Sequence, residues 1–197
     1  MYFVLDQNVA LTGEYAYFRE PVDGSYEIGR FDTGEPLKAA PPVMTLESDP
    51  ERGAPTSDLL LTDFTLFAFS EAARRVLEDL GVEEVEWHPV RIVPHATGKV
   101  DDSYRIANFT VAIDCLDLGQ SDVTYASDSK DIMGIYDLVL DEERIAEWAR
   151  RSGREVPKIF RVGEFRRTLL VDESVKERCE AEGLTGMSFI ELDEYAS

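Results

Sequence analysis

Three segments carry apolar residues at helical spacing between a capping side chain and a glycine. Between Ser70 and Gly81, Ala73, Val76, Leu77 and Leu80 form one stripe, which predicts a helix over 71–80. Between Asp141 and Gly153, Ile145, Trp148 and Ala149 face one way, which predicts a helix over 142–151. Between Asp172 and Gly183 the apolar face is thin, only Val175 and Cys179, and predicts a surface helix over 173–182. Most other apolar runs read as strands: the opening Tyr2-Phe3-Val4-Leu5, then 85–93, 104–116, 132–140, 159–162, 167–171 and 187–192. Two of them change parity partway. Val85 and Trp87 give way to Val90 and Ile92 across Pro89, and Tyr104 and Ile106 give way to Phe109, Val111, Ile113 and Cys115. A bulge or edge position at Pro89 and a bulge at Ala107-Asn108, which Asn108 would satisfy, are expected to keep one face apolar.

Between Asp32 and Asp58 lie Pro36, Pro41, Pro42, Pro50 and Pro55, with Gly34 and Gly53. Proline is excluded from central strands. This stretch therefore reads as a long surface loop with at most one short strand, 43–47. Helices do not alternate regularly with strands. The expected architecture is α+β: a mainly antiparallel sheet, about three helices on one side of it, and a single domain over 1–197.

Composition narrows the function classes. The chain has 197 residues, 40 acids against 20 bases, and a formal charge of −20. That length and an apolar share of 44% support one core without staples. The charge argues against nucleic acid and against anionic membranes as partners. No stretch is long and apolar enough to span a bilayer, and the N-terminal residues lack the basic region of a signal peptide. A cytoplasmic location is the expectation. Cys115 and Cys179 sit in apolar patterns and read as buried thiols of a reducing compartment.

Motifs for catalysis and cofactors are missing. His88 and His95 are seven apart and two cysteines are scattered, so no zinc spacing exists. The aspartates of 114–131 do not match calcium-loop spacing. Nucleophile-elbow, dinucleotide and P-loop signatures are absent. Cys115 lies between Asp114 and Asp117, the wrong electrostatics for a reactive thiol. No cofactor is implied.

Charge, however, is polarised along the chain. Asp101, Asp102, Asp114, Asp117, Asp122, Asp128 and Asp131 stand against only Arg105 and Lys130, while Arg144 to Arg167 holds eight bases. An acidic face meeting a basic partner is one reading, with those seven aspartates as the candidate contact region. A solvated surface with internal salt bridges is the other. Asp114 and Asp117 have a further reading, as turn residues bonding backbone N–H groups.

Several strings in order resemble one family. They are Tyr2-Phe3-Val4-Leu5; Asp58 with Phe69-Ser70-Glu71 and Leu80; Glu86-Trp87-His88-Pro89-Val90; Tyr104-Arg105-Ile106-Ala107-Asn108 with Asp114-Cys115-Leu116-Asp117 and Ser121; Ile159-Phe160-Arg161; Val171-Asp172-Glu173; and Gly183-Leu184-Thr185-Gly186-Met187-Ser188-Phe189. Together they resemble the eleventh immunity-protein family of bacterial polymorphic toxin systems. The charged segment 142–157 departs from it, being longer than the usual link. The resemblance implies a cytoplasmic, non-catalytic binder that occludes a cognate toxin, and the charge suggests that the toxin is basic. Two alternatives stay open. One is a small-molecule enzyme with a cleft under the proline-rich loop, needing His88 or His95 beside a carboxylate. The other is a subunit with a permanent partner, which predicts a large apolar patch.

Overall fold

A computed structural model describes residues 1–8, 10, 13–19, 31–39, 41–52, 55–62 and 66–196. Gly53 of the proline-rich segment lies outside them. The elements in order are β1 (Tyr2–Gln7), β2 (Tyr17–Phe18), β3 (Met44–Glu47), β4 (Leu61–Thr62), β5 (Ala68–Phe69), α1 (Glu71–Asp79), β6 (Val85–Val93), β7 (Arg105–Phe109), β8 (Ala112–Ile113), β9 (Asp122–Tyr125), β10 (Ile132–Asp137), α2 (Glu142–Ser152), β11 (Ile159–Val162), β12 (Leu169–Asp172), α3 (Glu173–Ala181) and β13 (Met187–Ile190).

The class is α+β. A five-stranded sheet runs β13-β1-β12-β11-β8 and a four-stranded sheet runs β3-β6-β7-β5; β9–β10 and β2–β4 form separate pairs. Most pairings are antiparallel, but β3–β6, β2–β4 and β8–β11 are parallel.

Both large sheets have apolar side chains on each face, and this corrects the bulge expected at Ala107-Asn108, while at Pro89 the edge position and not the bulge is found. On β7, Ala107 and Phe109 join a central core shared with the five-stranded sheet, while Ile106 points into a second core with Met44, Leu46, Val90 and Ile92. The β6–β7 register runs unbroken from Val85↔Phe109 to Pro89↔Arg105. A strand covered on both faces shows no single parity, so the parity change marks a change of core. Pro89 is tolerated because β6 pairs β7 up to that residue and β3 only from Val90 onward. The expected long strand 104–116 is also two strands. It leaves one sheet at Phe109 and joins the other as β8, which pairs β11.

The helices form where their caps predict. Ser70 accepts from Ala73 N–H, Asp141 from Glu143 and Arg144 N–H, and Asp172 from Val175 N–H. They do not all lie on one side. Ala73, Val76 and Leu77 of α1 and Val175 and Cys179 of α3 enter the central core. Ile145 of α2 enters a third core on the opposite face of the five-stranded sheet, beside Val4, Phe160 and Leu170. An edge-to-face aromatic group, Phe69 against Trp87 at 5.9 Å and against Phe109 at 6.4 Å, fills the central core. The proline-rich segment is more than a surface loop, since Met44 and Leu46 of β3 are fully buried and pair with β6 in parallel.

Candidate functional site

The seven candidate aspartates do not form one group. Asp101 and Asp102 belong to the four-stranded sheet: Asp101 bridges Ile92, and Asp102 faces Arg91 at 3.4 Å. Asp114 is exposed after β8, beside the turn at Gly163. Asp117 is a turn residue, as one reading expected. Its carboxylate accepts from Gly119 N–H at 2.9 Å and from the Gln120 side chain at 2.5 Å. Those hydrogen bonds, Gln120 first, hold its carboxyl below the usual range.

Asp122, Asp128 and Asp131 come together on the β9–β10 hairpin, joined there by Asp137. Strand β9 escaped the sequence reading because its residues are mostly exposed and only Val123 turns inward. The hairpin sits on the third core through Val123, Ile132 and Ile135. Its base is fastened by Ser121, whose hydroxyl donates to Val139 C=O at 3.1 Å and accepts from Val139 N–H at 3.0 Å. Its register shifts twice, between Ile132 and Gly134 and between Ile135 and Asp137. The extra residues are Met133 and Tyr136, and both are turned to solvent, at 63% and 58% exposure. Tyr125 on the neighbouring strand is 49% exposed. Bulges re-aim side chains in this way.

Electrostatically the hairpin differs from the basic stretch after it. Arg144 pairs with Glu164 at 2.9 Å, Arg150 with Glu143 at 2.6 Å, Arg151 with Glu147 at 3.7 Å, and Lys158 with Asp172 at 3.9 Å; Arg154 pairs with Glu84. Arg161 is not surface charge at all. It is buried, donates to Phe31 C=O at 2.8 Å and Arg166 C=O at 2.7 Å, and burial pulls its guanidinium down to about 10. The basic stretch is thus largely neutralised within the chain. Among the described residues Asp122, Asp128, Asp131 and Asp137 make no ion pair.

Groups that chemistry would need are placed otherwise. Burial pushes the Cys115 thiol up to about 12, with Glu164 and Asp114 adding to it, and burial lifts Cys179 to about 11. Both are free thiols, in separate cores. His95 is exposed. His88 does lie beside a carboxylate, with Nε2 3.6 Å from Glu86 Oε2, but Phe31 packs on its ring at 5.5 Å. Glu86 is engaged by Leu37 N–H and the Asn108 amide, both at 2.9 Å. Asn108 therefore serves no bulge. It ties β6 and β7 to the segment carrying Glu35, whose carbonyl accepts from the same amide at 2.9 Å. The cavity of about 610 Å³ beside α2 is lined by Arg144, Trp148, Arg151, Arg166 and Asp114, not by a histidine. Among the described residues no cluster of His, Cys, Asp and Glu could hold a metal, and no helix is long and apolar enough to cross a membrane.

Glu164, which sequence reasoning missed, and Asp58, which it carried only within a family string, tie distant segments together. Glu164 accepts from Cys115 N–H at 3.0 Å, Leu116 N–H at 3.2 Å and Arg144 at 2.9 Å. Asp58 accepts from Ser70 Oγ at 2.7 Å and from Thr185 N–H and Oγ1, both at 2.9 Å. The Asp58–Ser70 and Gly183–Gly186 strings are therefore one junction, closed across 127 residues.

No curated protein matches the chain in sequence. The family model for an immunity protein family, Imm11, matches residues 4–194. That span takes in the hairpin, the helices α1 to α3 and both large sheets except for the first two residues of β1. The chain belongs to the Imm11 immunity protein family.

Proposed function

We propose that this protein binds a cognate toxin of a polymorphic toxin system in the cytoplasm and neutralises it by covering its active surface. Membership of an immunity family supports a protective role. The observation that carries the mode of action is the uneven charge: a formal −20, with the basic stretch satisfied internally and the hairpin aspartates left without cations among the described residues. Such a surface attracts a basic protein and speeds its encounter. A toxin acting on nucleic acid has a basic cleft, and an acidic protein seated there would take the place of the phosphates.

Co-expression with a candidate toxin of a polymorphic toxin system tests the reading. Cells are expected to grow with both proteins and to stop with the toxin alone. With purified partners, raising ionic strength from about 0.05 to 0.5 M is expected to slow association by about tenfold or more. Absence of growth rescue contradicts the reading. A salt-independent association rate removes its electrostatic part.

A further inference from the structure

We propose that the outer edge of β13 receives an extended segment of the toxin as an added strand, and that this segment carries lysine or arginine toward the acidic cavity at the strand's end. The inference rests on the immunity reading and names the place where the toxin is held.

The first observation is an open sheet edge. β13 ends the five-stranded sheet and pairs only β1 among the described residues. Along an antiparallel pair, residues alternate between those bonded to the neighbour and those whose N–H and C=O point away from it. Asn8 N–H donates to Gly186 C=O at 2.9 Å, and the register sets Asp6 opposite Ser188 and Val4 opposite Ile190. Ser188 and Ile190 therefore bond β1, and the backbone groups of Met187 and Phe189 point outward. The other side of β1 agrees, since Met1 C=O accepts from Glu173 N–H at the end of β12. Just upstream, the chain's own Leu59 N–H takes Thr185 C=O at 3.0 Å. From Met187 onward no described segment continues that pairing.

The second observation is that the other edges are closed or short. Beyond β3, Asp49 N–H donates to Tyr17 C=O at 2.7 Å; beyond β5, Leu60 N–H donates to Ala68 C=O at 2.9 Å; β8 has only two residues. Exposed edges usually carry a lysine, a proline or a bulge that prevents pairing. β13 reads Met187-Ser188-Phe189-Ile190, with none of these and an unbroken register. All four residues are half-buried, Met187 and Phe189 against the central core and Ile190 against the third. An added strand covers the apolar surface they leave in water.

The third observation, charge, selects the occupant. Directly after β13, Glu191 and Asp193 line a cavity of about 480 Å³ together with Asp137 and Glu142. No lysine or arginine lines it, and among the described residues these four carboxylates make no ion pair. Leu138, Leu140 and Leu192 supply its apolar wall. A lysine or arginine lays its stem on such a wall and its charge among the carboxylates. A second copy of this chain would bring another −20 to the same place, which disfavours self-pairing.

The test follows backbone amide exchange in the isotope-labelled full chain. The probe is the catalytically inactivated domain of the toxin from which this protein rescues cells in co-expression. In the free protein the amides of Met187 and Phe189 are expected to exchange freely and those of Ser188 and Ile190 slowly. In the complex the Met187 and Phe189 amides are expected to slow by about 100-fold or more. Ser188→Lys puts a like charge on the edge and is expected to weaken the dissociation constant about tenfold or more. The quadruple variant D137N/E142Q/E191Q/D193N is expected to slow association about tenfold and to flatten its salt dependence. Val100→Ala, an exposed residue between β6 and β7, should bind like the parent. Thermal midpoints identify any misfolded variant, and the amide measurement uses the parent chain, so it decides without them. If the parent binds the toxin while both amides exchange as before, the edge is not the contact, and the immunity reading stands. Protection of the same amides as this protein alone is concentrated would make a second copy the occupant and overturn the proposal. A well-folded quadruple variant that associates as fast as the parent overturns the basic segment. If the parent does not bind a toxin from which it rescues cells, both the edge and the occlusion reading fall.

Discussion

Gly186→Ala is expected to cost about 4 kcal/mol of folding stability, whereas Gly183→Ala, three residues away in the same string, costs about 1 kcal/mol. Both glycines have left-handed backbones, with φ of +67° at Gly183 and +82° at Gly186, so both substitutions carry the strain of an L side chain there. Surroundings separate them. A Cβ at Gly183 meets nothing within 4 Å. At Gly186 it overlaps the carbonyl oxygen of Leu59 and comes within 2.7 Å of Ser57 Cβ. Neither can yield cheaply. Leu59 N–H is bonded to Thr185 C=O at 3.0 Å, and the Ser57 carbonyl accepts from the Tyr104 hydroxyl at 2.8 Å. Opening this junction also pulls Thr185 from Asp58, and Asp58 from the cap of α1. For a chain of this size each kcal/mol lowers the thermal midpoint by roughly 2–4 °C. Calorimetry should therefore show a fall of about 12 °C for Gly186→Ala and about 3 °C for Gly183→Ala. Equal falls would mean that the junction is not a close approach of two backbones.

Glu164→Ala is expected to cost about 3 kcal/mol and to lower the thermal midpoint by about 8 °C. The ion pair with Arg144 is not the reason, because Arg144 is largely exposed and such pairs contribute at most about 1 kcal/mol. The cost comes from the N–H groups of Cys115 and Leu116. Both residues are buried, and Glu164 is the acceptor for both amides. Removing the carboxylate strands two buried donors, at about 1–3 kcal/mol each before relaxation. Glu164→Gln keeps one acceptor oxygen and should cost about half as much. These amides lie just before Asp117 and the hairpin, so loosening them also loosens the hairpin's base. Urea unfolding of the two variants measures the difference; an alanine variant as stable as the parent would show that the amides find other partners.

The helices were legible because their signals are local: a capping oxygen before the apolar stripe and a glycine after it. Sheet positions were less so. Alternation reports burial on one face, but β6 and β7 lie between two cores, and the parity change at Pro89 and Asn108 imitated a bulge. The true bulges, at Met133 and Tyr136, left no trace in the pattern, because an exposed methionine or tyrosine in a strand looks like an ordinary inward one. Nearness in sequence also overstated the acidic group. The seven aspartates of 101–131 divide between the edge of the four-stranded sheet, the end of β8, the turn before the hairpin and the hairpin itself, since the chain changes sheets after Phe109. The basic character of 144–167 was legible, and internal salt bridges were one reading of it, but not all of the partners: Glu84 comes from outside the stretch and Glu164 from twenty residues beyond Arg144. The family strings were readable in order, and only the structure shows that Asp58, Ser70 and Thr185 meet.

The claim that this protein protects by occupying its toxin is tested most directly by titrating the toxin's activity with purified protein. Occupation predicts a loss that grows linearly, is complete near one equivalent, and does not deepen with time. Complete inactivation by a small fraction of an equivalent, deepening as the mixture ages, would mean that the toxin is chemically altered, and the account would be wrong.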